Sequence, residues 1–209
     1  MTNQLADIHG IFPTPIYLVK RDSNLIPEEE KEIERIIEEG MIKNISNSSS
    51  TNSYIFNDKL KNLKQFCEQQ IKIYVEQVIN PKEELDFYIT QSWLNVTRPG
   101  ESHHTHSHPN SIISGVFYVS TEEDDKIYFY DPAMQKSRIE FAINEFNLWN
   151  SKSWFVPTER NNLILFPSWL GHSVEPNEKA TTDRISLSFN IFVRGTVGGQ
   201  DTLSELILK

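Results

Sequence analysis

The chain has 209 residues, a length that suits one domain with additions and is short for two. Its 12 Phe and 7 Tyr residues and its 38% apolar content are typical of a globular protein with β structure and exclude a disordered chain. A formal net charge of -9 argues against broad attraction to nucleic acid or to an anionic membrane. Neither a basic leader nor an apolar run of membrane-spanning length is present, so we expect a cytoplasmic protein.

Residues 1–87 predict one strand and two helices that pack outside a β core. The strand covers Ile16 to Val19. The first helix begins at Pro27, a residue suited to the first helical turn, and ends at Gly40. A polar run of low complexity from Asn44 to Ser53 predicts a mobile loop.

The second helix is expected to start from a cap on Asn57 or Asp58 and to reach about Ile79, just before Pro81. Its apolar face includes Cys67, which predicts a buried structural thiol. Because this cysteine is alone in the chain, an internal disulfide and a zinc cluster built on cysteines are excluded.

The remainder of the chain changes to short runs of β-branched and aromatic residues separated by turns. Many short strands without helices between them predict a β-sandwich or barrel, which we assign to residues 88–195 of a single structural domain. The predicted strands are Phe87 to Val96, Ser111 to Ser120, Lys126 to Tyr130, Leu163 to Phe166 and Arg184 to Val193.

The last segment, residues 196–209, predicts a tail that follows the core. A Gly-rich stretch from Gly195 to Gly199 ends the core. Four apolar residues then predict either a short final helix docked on the core or a contact with a second copy of the chain in a homo-oligomer: Leu203, Leu206, Ile207 and Leu208.

Histidines concentrate between the first two predicted strands of the core. Residues 103, 104, 106 and 108 are all histidine, and His172 follows a later strand. In an extended chain, residues i and i+2 point to the same side, so His106 and His108 can offer two imidazoles to one metal ion, with His172 as a third ligand. His104 and His106 have the same spacing, and an exposed His-rich loop would also give this pattern. The spacing alone leaves these alternatives open.

A second feature suggests an anion site. Arg184 and Ser186 are two residues apart on the final predicted strand and share its inward face if Ile185 points outward. A buried guanidinium is costly unless it pairs with a carboxylate, which can belong to a ligand or to a structural salt bridge.

Several ordered segments together resemble the 2-oxoglutarate and Fe(II)-dependent dioxygenase superfamily, and in particular a family of such oxygenases from bacteria and phages. The resemblance covers most of the chain. Its segments are Ile11–Ile16, Ser92–Asn95, His106–Ser111, Ser114–Tyr118, Leu165–His172 and Arg184–Asn190.

The resemblance implies a double-stranded β-helix, or jelly roll, that uses Fe(II) and 2-oxoglutarate to oxidise, most often to hydroxylate, a prime substrate that the sequence does not identify. It places the superfamily's HxD or HxE metal pair on His106 and His108, with His103 and His104 beside the site or exposed. The implied site also includes His172 as the distal metal ligand, Arg184 and Ser186 for the far carboxylate of 2-oxoglutarate, and Tyr118 and Asn95 as further cosubstrate contacts. The loop from Asp131 to Ser153 is the expected place of substrate recognition.

The chain departs from the superfamily at His108, where a carboxylate normally stands, and an imidazole there makes the metal site more positive by one unit of charge. Glu101 could supply a carboxylate instead. Two other functions fit parts of the pattern. A cupin shares the fold and the metal position but lacks a reason to hold Arg184, and a non-catalytic jelly-roll module would keep the metal for stability alone.

Overall fold

A computed structural model of the chain describes residues 8–133, 139 and 141–209. Within these residues the helices are α1 (Pro27–Glu39) and α2 (Lys61–Tyr74), the latter continued by a π-helical turn at Val75–Ile79. The strands, in chain order, are β1 (Tyr17–Lys20), β2 (Met41–Lys43), β3 (Ser48–Ser50), β4 (Asp86–Thr97), β5 (His103–His106), β6 (Ile113–Ser120), β7 (Lys126–Tyr130), β8 (Ser153–Pro157), β9 (Asn162–Pro167), β10 (His172–Val174), β11 (Arg184–Val197) and β12 (Leu206–Leu208).

The strands form two antiparallel sheets. The large sheet has the order β1-β9-β6-β11-β4-β3-β2, with β12 paired to the end of β11, and the small sheet has the order β5-β10-β7-β8. From β4 to β11 the chain therefore crosses between the two sheets at every step except that from β7 to β8, which are neighbours in the small sheet. This arrangement is the double-stranded β-helix that the sequence predicted.

Strand β11 shows why the two faces of the large sheet differ. Leu187, Phe189 and Ile191 are buried in the core that α1 and α2 cover. Because side chains alternate along a strand, the polar residues between them belong to the opposite face. The large sheet thus presents an apolar face to the helices and a partly polar face to the small sheet.

The two helices cover the outer face of the large sheet. Ile33 and Ile36 of α1 and Leu63, Cys67 and Ile71 of α2 are all buried in that core. The buried thiol of Cys67 confirms its predicted structural place. Among the described residues, no helix combines the length and apolarity that crossing a bilayer requires.

The segment predicted as a mobile loop, Asn44 to Ser53, contains a strand, because residues 48–50 form β3. β2 pairs with β3, and Ser48 and Ser49 of β3 pair with Val96 and Asn95 of β4. The Ser49 hydroxyl donates a hydrogen bond of 2.9 Å to Asn95 Oδ1. The prediction was wrong because serines that look like a linker satisfy their backbone on the edge of an existing sheet.

The start of the second helix was also predicted wrongly. Asn57 closes a 3-10 turn at Ile55–Asn57, and α2 begins only at Lys61, after Leu60 in a left-handed conformation with φ 53°. Neither Asn57 nor Asp58 caps the helix. The other boundaries of the helical region were predicted well, because Pro27 and Gly40 flank α1 as expected.

The tail does not form a helix. Leu206–Leu208 form β12, which pairs antiparallel with residues 195–197 of β11. Leu206 and Ile207 remain exposed on this hairpin. Strands β2, β5 and β8 were not predicted, whereas β10 begins at His172, where a new strand was expected. The contact of the tail with a second copy stays a prediction.

Gly115 in the middle of β6 provides a test of the helix-covered core. A Cβ atom at this position would overlap the ring of Phe189 and come within 2.9 Å of Leu165 Cδ2. Gly115→Ala should therefore lower the free energy of unfolding by about 1–3 kcal/mol, measured by urea denaturation. Gly171→Ala is the matched control, since its nearest neighbour would be Tyr130 Cβ at 3.9 Å. Equal stability of the two variants would contradict this packing.

Candidate metal centre

Three histidines meet where the two sheets come together. Strand β10 pairs antiparallel with β5, and this register sets His172 directly opposite His106. His108 lies just beyond β5, where its backbone N–H donates to the carbonyl of Ser168 at 2.9 Å. The ligand atoms of His106, His108 and His172 all lie within 4.8 Å of one another.

Each of the three imidazoles is oriented through its Nδ1 atom. Nδ1 of His106 lies 2.8 Å from the carbonyl oxygen of His104, and Nδ1 of His172 lies 3.0 Å from that of Leu170. Nδ1 of His108 lies 2.6 Å from the side-chain oxygen of Asn190. Because these oxygens only accept hydrogen bonds, each Nδ1 carries the proton and each Nε2 keeps its lone pair. This is how metal-binding histidines are usually held.

The cluster fits a metal ion on two further grounds. Nε2 of His108 is buried and has no hydrogen-bond partner among the described residues. Burial lowers the pKa of His172 to about 3, and burial also lowers the pKa of His106 and His108. All three rings are therefore neutral at physiological pH, as metal coordination requires. Imidazole ligands suit iron, zinc, copper and nickel alike, so the ligands do not select the metal.

The other nearby groups lie outside this set of three. The ring of His103 stacks on that of His106 with 4.4 Å between centroids, and His104 does not belong to the group of converging ligand atoms. The carboxylate of Glu101 accepts a hydrogen bond of 2.9 Å from the backbone N–H of Arg98. The structure thus brings together His106 and His108 and not the alternative pair His104 and His106. Metal coordination by these residues stays a prediction.

Arg184 opens strand β11 and lies in the interior with a side-chain exposure of 7%. Its Nη1 atom is 3.8 Å from Asp125 Oδ1, which is an ion pair but exceeds hydrogen-bond distance. Burial lowers the pKa of Arg184, and the nearby Asp125 and Tyr118 act in the opposite direction. None of the hydrogen bonds in the described parts of the chain uses the guanidinium, so a buried planar donor group keeps its donors available.

The other predicted cosubstrate contacts differ in whether their polar groups already have hydrogen-bond partners in the protein. Ser186, half-buried, pairs with Asn95 on one side and Tyr118 on the other. Tyr118 is buried close to Arg184, and burial raises the pKa of its hydroxyl. Asn95 donates to Ser188 Oγ at 3.0 Å and accepts from Ser49 Oγ at 2.9 Å. The amide nitrogen and the amide oxygen of Asn95 are therefore both engaged in hydrogen bonds with other residues of the protein.

A cavity of about 550 Å³ opens beside the histidines. Besides His106 and His108, its wall includes Trp93, whose indole stacks on His108 with 5.6 Å between ring centroids. Sequence reasoning assigned no role to four other residues of this wall, namely Asn44, Thr90, Gln91 and Asn190. The signal for Asn190 was present, since it ends the Arg184–Asn190 segment that carries the resemblance.

The loop expected to recognise substrate joins β7 to β8. Residues 134–138 and 140 lie outside the described part of the chain. The described part carries exposed aromatic residues, including Phe141, Phe146 and Trp149, around a cavity of about 740 Å³. Its place in substrate recognition stays a prediction.

Comparison with known families gives one match. Residues 91–190 match a family model described as "Putative 2OG-Fe(II) oxygenase". The matched region extends from β4 to β11 and contains all three histidines and Arg184. No curated protein sequence matches the chain significantly.

Solved structures share the fold at low sequence identity. A prolyl-4-hydroxylase from Pseudomonas putida is 14% identical with a TM-score of 0.57, and the match covers 87% of this chain and 94% of that one. A prolyl hydroxylase from Trichoplax adhaerens, in complex with a hypoxia-inducible factor peptide, is 13% identical with a TM-score of 0.57 and coverages of 85% and 83%. HygX from Streptomyces hygroscopicus, with nickel, 2-oxoglutarate and hygromycin B bound, is 9% identical with a TM-score of 0.55 and coverages of 85% and 82%.

The three converging histidines can be tested through metal content. Protein loaded with a divalent metal and freed of excess metal by gel filtration should retain a single ion per chain. His106→Ala, His108→Ala and His172→Ala should each lose it, because two remaining imidazoles bind weakly. His104→Ala is the matched control and should retain the ion. Elemental analysis measures all four variants, and retention by His172→Ala or loss by His104→Ala would show that the ligand set is wrong.

Proposed function

From the premise that residues 91–190 match the model of a 2OG-Fe(II) oxygenase family, whose members are oxidoreductases, we propose that the chain binds Fe(II) through His106, His108 and His172 and 2-oxoglutarate through Arg184. The reaction class is oxidation, most simply hydroxylation, of a prime substrate. The observation that carries the proposal is the convergence of one ligand nitrogen from each of three imidazoles, every one of which is oriented by a hydrogen bond at Nδ1. When bound, Fe(II) and 2-oxoglutarate would supply the oxidising power, through decarboxylation of the cosubstrate to succinate.

The protein's own contribution begins with the three imidazoles. His106 and His172 lie on neighbouring strands of the small sheet, where β5 and β10 hold them at fixed register, and His108 follows β5. Hydrogen bonds at Nδ1 fix the orientation of each ring before any metal arrives, so little ordering is left to the binding step. His172 is buried and the other two imidazoles are half-buried, and partial exclusion of water strengthens electrostatic interactions at the site.

Arg184 is the proposed anchor for the distal carboxylate of 2-oxoglutarate. Its planar guanidinium matches a carboxylate in a bidentate geometry, and its hydrogen-bond donors are not engaged by described residues. Ser186, next on the same face of β11, is the proposed second donor. The competing function of Arg184 is to neutralise the buried Asp125, 3.8 Å away, and the ligand-binding experiment below separates the two.

The cavity beside His106 and His108 is the proposed binding place of the prime substrate. Its wall consists of imidazoles, amides, hydroxyls, one proline and the indole of Trp93, and includes no Asp, Glu, Lys or Arg. An uncompensated charge would be costly to bury against such a wall. We therefore expect the part of the substrate that reaches the metal to be polar and uncharged.

The imidazole of His108, at the position where the superfamily normally has a carboxylate, should alter the behaviour of the metal. Since His108 contributes no negative charge, the site is more positive than one with a carboxylate. His108→Asp should therefore preserve or raise the turnover of 2-oxoglutarate in the absence of prime substrate, measured as succinate formed with Fe(II). Loss of metal by this variant, against brisk turnover by the wild type, would show that three neutral ligands are needed.

Calorimetric titration of anaerobic Fe(II)-loaded protein with 2-oxoglutarate tests the proposed anchor. Truncating one partner of a desolvated charge pair costs about 2–5 kcal/mol, so Arg184→Ala should weaken binding by roughly 30-fold or more. Arg184→Lys should recover only part of the affinity, because an ammonium cannot reproduce the planar fork. Arg194→Ala, an exposed change on the same strand, is the matched control and should bind normally.

The same titration separates the enzyme classes. Wild-type protein that binds metal but no 2-oxoglutarate would favour a cupin-type enzyme or a metal-stabilised binding module. Binding that is indifferent to Arg184 would keep the oxygenase class and assign Arg184 to Asp125. Succinate semialdehyde, which lacks the 2-oxo acid chelate, should bind poorly to every variant.

A further inference from the structure

We propose that Asn190 is the positioning residue that makes His108 a metal ligand, an inference that rests on the proposed metal site. The side-chain oxygen of Asn190 lies 2.6 Å from Nδ1 of His108, and no other described residue contacts that nitrogen. A neutral imidazole carries one N–H. With an acceptor at Nδ1, the proton stays there and Nε2 keeps the lone pair that a metal needs.

His108 differs from the other two ligands in what holds it. His106 and His172 donate to the backbone carbonyls of His104 and Leu170, and no side-chain substitution removes those acceptors. His108 depends on a side chain. It also stands where the superfamily normally has a carboxylate, which needs no such partner because both oxygens of an ionised carboxylate offer lone pairs. The exchange to histidine at this position therefore makes the amide of Asn190 necessary.

A buried chain of hydrogen-bonded serine hydroxyls lies next to the side chain of Asn190. Asn190 of β11 pairs in register with Ser114 of β6, whose hydroxyl lies 2.8 Å from that of Ser168 and 3.3 Å from Asn190 Oδ1. Ser168 donates in turn to Ser111 at 2.7 Å, and Ser111 donates to the backbone carbonyl of Ile113 at 3.0 Å. Ser114 and Ser168 are almost completely buried.

The directions of these bonds show what Asn190 does. Because Ser111 donates to a carbonyl and Ser168 donates to Ser111, the single hydroxyl hydrogen of Ser114 is shared between Ser168 and the more distant Asn190. The oxygen of Asn190 is thus left to His108 as its short, well-formed contact. Ser168 also binds the backbone of His108, because its carbonyl accepts the backbone N–H of His108 at 2.9 Å. Asn190 therefore orients the ring of His108 and Ser168 fixes its backbone, and both residues belong to the same hydrogen-bonded cluster.

The test uses two readouts on metal-free and Co(II)-loaded protein. Long-range ¹H–¹⁵N spectra of metal-free protein near neutral pH report which imidazole nitrogen carries the proton. Asn190→Leu should shift His108 away from the Nδ1–H form and weaken Co(II) binding by roughly 10- to 100-fold, the usual cost of losing such a partner. Gln69→Leu removes an amide from the exposed face of α2, away from the site, and should change neither readout.

Asn190→Asp keeps an acceptor at the same place, so it should retain the Nδ1–H form and bind Co(II) at least as tightly as the wild type. It also decides the matter if Asn190→Leu fails to fold, because weaker Co(II) binding by Asn190→Asp would overturn the proposal. An unchanged tautomer and unchanged affinity in folded Asn190→Leu would do the same. If only the proposed function is wrong, the results differ. Co(II) would still bind with an affinity that depends on Asn190, and 2-oxoglutarate would not bind.

Discussion

The antiparallel pairing of β10 with β5 is the constraint on which the site depends. It sets His172 opposite His106 across the small sheet. The chain then leaves that sheet through His108 and reaches Asn190 in the large sheet before β6 begins. A single ion between these imidazoles would therefore link both layers of the β-helix. A slip of β10 by one residue would turn His172 to the opposite face and remove one of the three ligands.

The surroundings of the site favour neutral ligands and a captured anion. Burial keeps the three imidazoles uncharged, and Arg184 is a cation buried in the same interior with Asp125 as an imperfect partner. In a chain of formal net charge -9, an anionic cosubstrate cannot rely on long-range attraction. Local capture by one preorganised guanidinium is consistent with that charge balance.

The long strands could be predicted from the sequence because their pattern is set by the core. Residues of β11 alternate between a buried apolar face and a polar one, and β6 is a run of β-branched and aromatic residues that packs into the core on both faces. The predicted runs overlap β4, β6 and β11. Strand β5 could not be predicted in this way. β5 consists of His-His-Thr-His, whose pairing with β10 depends on tertiary contacts rather than on local preference.

The site could be predicted only in part for a related reason. Motif position identified His106, His108, His172 and Arg184, which the structure places in the interior between the sheets or at its edge. Asn190 and Trp93 were missed, because their relation to His108 comes from strand register and not from sequence spacing. The segment from Asn44 to Ser53 was predicted as a loop for the same reason. Two of its serines pair with β4, and that pairing cannot be seen in the local sequence.

The central claim is that His106, His108 and His172 hold one metal ion between the two sheets. Anomalous diffraction at the iron edge, from anaerobic crystals containing Fe(II) and 2-oxoglutarate, tests it most directly. The account predicts one strong peak within about 2.0–2.3 Å of all three Nε2 atoms, with the distal carboxylate of 2-oxoglutarate on Arg184. A peak bound by His103 or His104 in place of His108, or no peak at saturating iron, would contradict it.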